Sequence, residues 1–241
     1  MRPFYLPLLA VAALLVGCHK DQEAPEAVAF DTSGRYHAGP TILATNPITM
    51  YTRSGAVTNP TVVDRYLARR PWAADFFSRT DANPGNAVSL TLTFRSLNRA
   101  TVTVTGPNNY LDSVRADVSV AADYLVLKQL DTLSALLPLN TSCMSRAGQL
   151  SEALRQLQDD KTCVALPAVT GYSQSCKVRA VRQLKSRAGQ PYIPLLSTLV
   201  QTGTCQTAVS NQWNSLSTAP LSQLAAGDTV LVQERELPLL R

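Results

Sequence analysis

The chain has 241 residues, of which 45% are hydrophobic, 16% charged and 6% aromatic, and it carries a formal net charge of +5. That length suits one large domain or two small ones, and the mild, dispersed basic balance favours contact with anionic surfaces while giving no pointer to nucleic acid. Few aromatics, little charge and many Thr, Ser and Val suit an exported β-rich domain better than a helical bundle.

The chain opens with Arg2, an apolar run from Leu6 to Val16, and then Leu15-Val16-Gly17-Cys18. A basic start and a short apolar core form the pattern of a secretory signal peptide, shorter than the roughly 20 residues of a permanent membrane helix. Leu15-Val16-Gly17-Cys18 resembles the lipobox of bacterial lipoproteins. That resemblance implies cleavage before Cys18, acylation of Cys18 and anchorage to a membrane, with residues 1–17 removed. His19, in place of the Asp of an inner-membrane retention signal, points to the outer membrane. Lys20-Asp21-Gln22-Glu23 is similar to the Lys-plus-acidic signal that sends some lipoproteins to the cell surface, and it reads equally as a solvated tether. Residues 18–29 are therefore expected to be a lipidated tether facing the periplasm or the surface, and residues 30–241 a folded domain.

Within that domain, Arg35-Tyr36-His37-Ala38 and Ile48 to Arg53 read as the first two strands, the second bounded by Asn46-Pro47 and Ser54-Gly55. Asn59-Pro60 supplies a helix cap and first turn, with Val63, Tyr66 and Leu67 on one face until Pro71. Trp72, Phe76 and Phe77 repeat the helical spacing for one more turn. From Val88 the period changes to two: Val88, Leu90, Leu92 and Phe94 share one face, and Ala100, Val102 and Val104 answer them after the Ser96-Leu97-Asn98-Arg99 turn. Further strands are expected over Tyr110 to Val120 and Tyr124 to Leu130. A helix with Leu150, Ala153, Leu154 and Leu157 on one face lies between Cys143 and Cys163. Lys177 to Lys185 and Tyr192 to Gln201 are expected to pair as a hairpin, and Thr229 to Gln233 is the last strand. About nine strands with two short helical insertions predict a mainly β, single antiparallel β-barrel or β-sandwich domain.

Gly34-Arg35-Tyr36 resembles the lipocalin Gly-x-Trp motif, and Ala122-Asp123-Tyr124 is similar to that family's Thr-Asp-Tyr. Tyr36 stands in place of Trp and Ala122 in place of Thr, and the chain is longer than a lipocalin needs. The resemblance implies an antiparallel barrel holding an apolar ligand.

With Cys18 spent on lipid, Cys143, Cys163, Cys176 and Cys205 remain, an even count in an oxidising compartment that reads as two disulfides. Three connectivities are open. Cys143–Cys163 and Cys176–Cys205 are the pairs expected, because the first brackets a short amphipathic segment and the second lies at the two ends of an expected hairpin. No Cys-x-x-Cys pair is present to suggest a zinc site, and neither a calcium nor a phosphate loop motif occurs, so no metal or cofactor is expected.

The chain has two histidines, His19 and His37, which leaves His37 as the sole candidate proton carrier in the folded part. The acids are scattered: Asp64, Asp75 and Asp81 on or after helices, Asp112, Asp117 and Asp123 in strands, and Asp159-Asp160 in a loop expected to be hydrated. The basic run Lys177, Arg179, Arg182, Lys185 and Arg187 places Lys177, Arg179 and Lys185 on one strand face, suited to an envelope polysaccharide, lipid head groups or a protein partner. Trp72, Phe76 and Phe77 are candidates for ligand stacking or for closing a barrel. These features favour a non-enzymatic envelope binding module; the alternative is a histidine-independent hydrolase acting on envelope glycans through paired carboxylates.

Overall fold

In the computed structural model, residues 31–78, 80, 89–105, 111–121, 124–138, 142–167, 172–187 and 189–241 are described. The expected signal peptide, Cys18 and its tether lie outside these residues, as do Asp81, Asp123 and the side chain of Cys143. The strands are β1 (Arg35–Ala38), β2 (Ala44–Thr45), β3 (Thr49–Thr52), β4 (Gly55–Val57), β5 (Ser89–Ser96), β6 (Arg99–Thr105), β7 (Leu111–Ala121), β8 (Tyr124–Gln129), β9 (Leu133–Pro138), β10 (Asp160–Ala165), β11 (Tyr172–Arg179), β12 (Val181–Arg187), β13 (Gln190–Thr202), β14 (Cys205–Trp213) and β15 (Thr229–Leu240). The helices are α1 (Pro60–Ala68), α2 (Pro71–Ala74) and α3 (Ser142–Ala153).

Of the two architectures expected, the chain adopts the barrel. β1, β5, β6, β7, β8, β12, β13 and β15 follow one another around a closed antiparallel ring in chain order. Closure comes from β15, which pairs with β1 on one side and β13 on the other. The period-two pattern then decides what lies inside. Leu92 stands opposite Val102 and Tyr36, Val118 opposite Leu127, Leu125 opposite Leu184, and Ile193 opposite Leu237. All but Val102, which packs against it, belong to one buried cluster inside the ring.

β13 and β15 run on past the ring into a second tier. There β14 pairs with β13, and β3, itself paired with β4, pairs with β15. Both faces of this tier are covered. Leu199, Leu231 and Met50 pack beneath Val63, Leu67, Ala73 and Phe77 of the α1–α2 segment. Val200, Val230 and Val232 pack against Ala147 and Leu154 of the α3 segment and Leu224. This is why Ile193 to Val200 are buried without interruption, the pattern of a strand covered on both sides. The start of α1 is set as its sequence predicts: the Asn59 side chain accepts from the Thr61 N–H at 3.0 Å, and Pro60 occupies the first turn.

Between the two apolar tiers β15 carries a polar belt, Gln233 and Arg235, in line with Leu231 and Leu237. Both are almost completely buried, and both hold the chain that follows α2. Gln233 accepts from the Ser78 N–H at 3.0 Å and donates to the Ser78 carbonyl at 2.7 Å, while Arg235 donates to the Thr80 carbonyl at 2.8 Å and to Asn211 Oδ1 at 3.3 Å. Asn211 sits at a bulge in β14 with φ of 50°, and its N–H donates to Ser197 Oγ at 2.9 Å.

β9, β11 and β10 form a separate three-stranded sheet. β8 and β12 are neighbours in the ring, and their continuations β9 and β11 are neighbours in this sheet, so the sheet is an arm grown from the barrel wall. The hairpin expected from Lys177 to Lys185 is corrected here: the run breaks at Ala180, with Lys177 to Arg179 in β11 and Val181 onward in β12. The break is held because the Ala180 carbonyl accepts from Gln129 N–H at 2.9 Å, while the Val181 N–H donates to the Asp159 carboxylate at 3.0 Å. The hairpin into β13 is real but begins with β12, where Arg187 faces Gln190 and Gly189 takes φ of 79°.

The expected disulfide pairing is also corrected. Cys163 and Cys176 are bonded to each other, because antiparallel β10 and β11 place them directly opposite in the ladder. Cys205 is disulfide-bonded as well. Sequence spacing favoured bridges around single elements, whereas the register of an unforeseen ribbon sets the bond. A non-reducing peptide map is expected to recover Cys163 linked to Cys176, and a Cys143–Cys163 peptide would contradict the register. Replacing both with serine is expected to lower stability by about 3 kcal/mol in denaturant unfolding, from the loss of a short closed loop.

Candidate functional site

At one end of the barrel, aromatic and ionic contacts border a cleft of about 390 Å³ lined by Asp31, Tyr36, Gln190, Leu239 and Arg241. Tyr36, which follows Gly34 at a φ of 88°, packs edge to face on Phe94 with ring centroids 6.0 Å apart. The Arg241 guanidinium lies 5.4 Å from the Tyr36 ring, donates from Nε to the Tyr36 hydroxyl at 3.2 Å and pairs with Asp31. The Tyr36 hydroxyl in turn donates to the Asp31 carbonyl at 2.9 Å, and burial raises its pKa. Tyr36 of the Gly34-Arg35-Tyr36 motif thus packs this end through its ring and its hydroxyl and lines the cleft beside it.

The opposite end, between the arm and the second tier, holds an apolar cleft of about 230 Å³. Leu90, Val102, Val104 and Val114 line it from β5, β6 and β7, Leu127 from β8 and Trp213 from β14. The alternation that fills the ring also brings these side chains to its mouth: Leu90 faces Val104, and Val102 faces Val114. Trp213 is turned inward opposite Leu195, and its indole N–H donates to the Gln183 carbonyl at 2.5 Å, tying the ring to β12.

Two polar side chains share this lining. Arg182 faces inward because it stands opposite Leu127, and Gln129 lies two residues along the same face of β8. Gln129 is 6% exposed, yet its side-chain amide makes no hydrogen bond among the described residues. Arg182 uses Nη1 for Asp159 Oδ1 at 2.7 Å and for the Val181 carbonyl at 2.9 Å, while Nε and Nη2 make none among the described residues. An apolar wall with a few convergent polar groups is the ordinary composition of a small-ligand site.

Behind Arg182 lies an ionic network. Asp159 also accepts from Arg155 Nη1 at 3.2 Å, Arg155 donates to Glu152 at 2.9 Å and to Gln158 at 3.2 Å, and Lys161 pairs with Glu152. Burial pushes the Asp159 carboxyl up, but the Val181 N–H, Arg182 and Arg155 together outweigh it and hold the group below the usual carboxylate range. The expectation of a hydrated Asp159-Asp160 loop is therefore corrected: Asp159 is largely buried by its cationic partners, and Asp160 begins β10 and pairs with Lys128.

The structure separates most of the binding residues expected from sequence. Phe77 belongs to the core beneath the α1–α2 segment, Phe76 packs against that core, and Trp72 is exposed, edge to face with Phe76. None of the three lines the mouth. Lys177 and Arg179 share one face of the arm, and Lys177 donates to Ser134 Oγ at 3.1 Å. Lys185 is apart from them, on the barrel strand β12. His37 is exposed, with Nδ1 3.0 Å from Thr91 Oγ1. Among the described residues no three His, Cys, Asp or Glu side chains converge as a metal site would require. Gln129 and Trp213 carry no sequence signal of their own, since a single Gln or Trp in a strand has many uses.

No family model, curated protein or solved structure matches this chain.

Because Asp159 is held below its unfolded value of about 3.9, its stabilising effect is complete above that pH and is lost as pH falls through the depressed value. Asp159→Asn is expected to cost about 3 kcal/mol at neutral pH by leaving Arg182 and Arg155 short of a partner. Urea unfolding at stepped pH should show that gap narrowing as acid is added below pH 4, roughly the unfolded value. A gap constant down to the lowest pH would contradict the network.

Proposed function

We propose that this protein is a lipid-anchored module of the outer membrane, facing the periplasm or the cell surface, that binds an apolar small ligand at the mouth of its barrel. The observation that carries the binding reading is the mouth itself: an apolar cleft whose two polar members, Gln129 and Arg182, hold donors without partners among the described residues. These donors open onto the cleft, and Arg182 is partly exposed, so a ligand's acceptors can take the place of water there. The anchor reading rests on Leu15-Val16-Gly17-Cys18 and on the tether to residue 29. No described helix is long and apolar enough to cross a membrane.

The glycan-hydrolase alternative has less support. It needs two carboxyls facing one cleft, and the apolar mouth is lined by none among the described residues, while Asp159, Asp160, Glu152, Asp117, Asp131, Asp228 and Glu236 are each paired with a lysine or arginine. For envelope polysaccharide or a protein partner, the arm offers Lys177 and Arg179 on one exposed face.

Two measurements test the proposal. Mass spectrometry of the mature N-terminus from native membranes is expected to find an acylated Cys18; an unmodified Met1 would overturn the anchor. Binding of the uncharged dye N-phenylnaphthylamine is expected to enhance its fluorescence, and Val104→Phe, which fills the mouth, is expected to abolish the enhancement. Equal enhancement by the filled variant would overturn the site.

A further inference from the structure

We infer that the ligand of this mouth is a single-chain amphiphile with a carboxylate head group, the head held by Arg182 and Gln129 and the chain lying along Leu90, Val102, Val104 and Val114. The inference rests on the mouth being a binding site, and it adds the chemistry of the occupant.

Charge at the cleft favours an anion. The network behind the cleft contains three cations, Arg155, Arg182 and Lys161, against two carboxylates, Asp159 and Glu152. One positive charge is left over, and Arg182 is the member that lines the cleft. No acid is among the lining residues; Asp112, opposite Val104, stands exposed at the rim on the β7 side. A cation in a largely apolar surround is best matched by an anion, since the attraction is screened less there than in open water.

The donor geometry favours a planar anion. The open donors of Arg182, Nε and Nη2, form one edge of the guanidinium, the fork that accepts two oxygens of a planar anion. Asp159 occupies Nη1 and fixes the fork, while Gln129, nine-tenths buried on the same face, supplies a further amide donor. A monoanionic carboxylate satisfies this set and cancels the single surplus charge, which a phosphate dianion would exceed.

The size of the cleft favours a slender occupant. A cleft of about 230 Å³ lies below the roughly 300–1,000 Å³ typical of drug-sized ligand pockets. It suits a narrow alkyl chain better than a fused ring system.

The chain has two tryptophans, so Trp72→Phe leaves Trp213 in the cleft as the single reporter. The experiment titrates the full chain carrying this substitution with decanoate, decanol and decyltrimethylammonium at neutral pH, below their micelle concentrations, reading Trp213 fluorescence. Decanoate is expected to bind about tenfold or more tightly than decanol, the size of one charge-assisted hydrogen-bonded contact. Arg182→Gln should remove that preference, and Arg182→Lys should keep part of it. If Arg182→Gln does not fold, the comparison of head groups on the parent chain decides alone. Equal affinity for decanoate and decanol, or preference for the cation, overturns the head-group inference while leaving the mouth as an apolar site. Failure of all three to bind, together with failure of N-phenylnaphthylamine, overturns the mouth itself.

Discussion

The pairing of β13 with β15, unbroken from Tyr192 opposite Pro238 to Gln201 opposite Thr229, is the constraint on which the rest of the structure depends. Its first half closes the ring, removing the sheet edge that an open meander would expose. Its second half continues beyond the ring and acquires β14 and β3 as new neighbours. One two-stranded ribbon therefore serves as barrel stave and as centre of a layered second tier. Because α1 and α2 cover one face of that tier and α3 the other, the ribbon is buried on both sides, and its hydrogen bonds are shielded from water as well as paired.

This dual use explains why charged and polar residues sit deep in the molecule. On one face, the ribbon passes from the barrel interior at Leu237 to the apolar cluster at Leu231, and Gln233 and Arg235 fill the transition. They satisfy the backbone of the incoming chain at Ser78 and Thr80, so that chain is held by hydrogen bonds where apolar packing is interrupted. Across the ring, β8 and β12 depart as the arm instead of being capped. The barrel thus has one end where Tyr36, Phe94 and Arg241 pack beside a mixed polar cleft and another where an apolar mouth lies between two extensions. The asymmetry of the ends follows from which strands continue past the ring.

The elements legible in sequence are those with one wet face and one dry face. β5, β6 and β7 alternate cleanly and are separated by turn residues, and the inward set Leu90, Leu92, Phe94, Ala100 and Val102 was readable from period alone. Asn59-Pro60 marked the start of α1 for a local reason that does not depend on tertiary context. The rest of β15 after Gln233 was not readable, because Glu234, Arg235, Glu236 and Pro238 look like a solvated tail. Each of those charges is instead partnered in space: Glu234 by the Leu216 N–H, Arg235 by Thr80 and Asn211, and Glu236 by Arg187. β14, with Gln206, Thr207, Ser210, Asn211 and Gln212, shows no apolar period because its covering elements come from distant sequence. The break at Ala180 was hidden for the same reason: nothing local at Ala180 tells that Asp159, more than twenty residues earlier, takes the next N–H. The mouth was half legible, its aliphatic wall being part of the predicted hairpin and its polar pair being the product of register between β8 and β12.

We propose that the apolar end of the ring is where this protein meets its ligand. Backbone and side-chain NMR shifts recorded while the full chain is titrated with a neutral alkyl ligand test it most directly. The account predicts shifts concentrated at Leu90, Val104, Leu127, Gln129 and the Trp213 indole. Shifts confined to Trp72 and the α1–α2 segment, or to Lys177 and Arg179 on the arm, would contradict it.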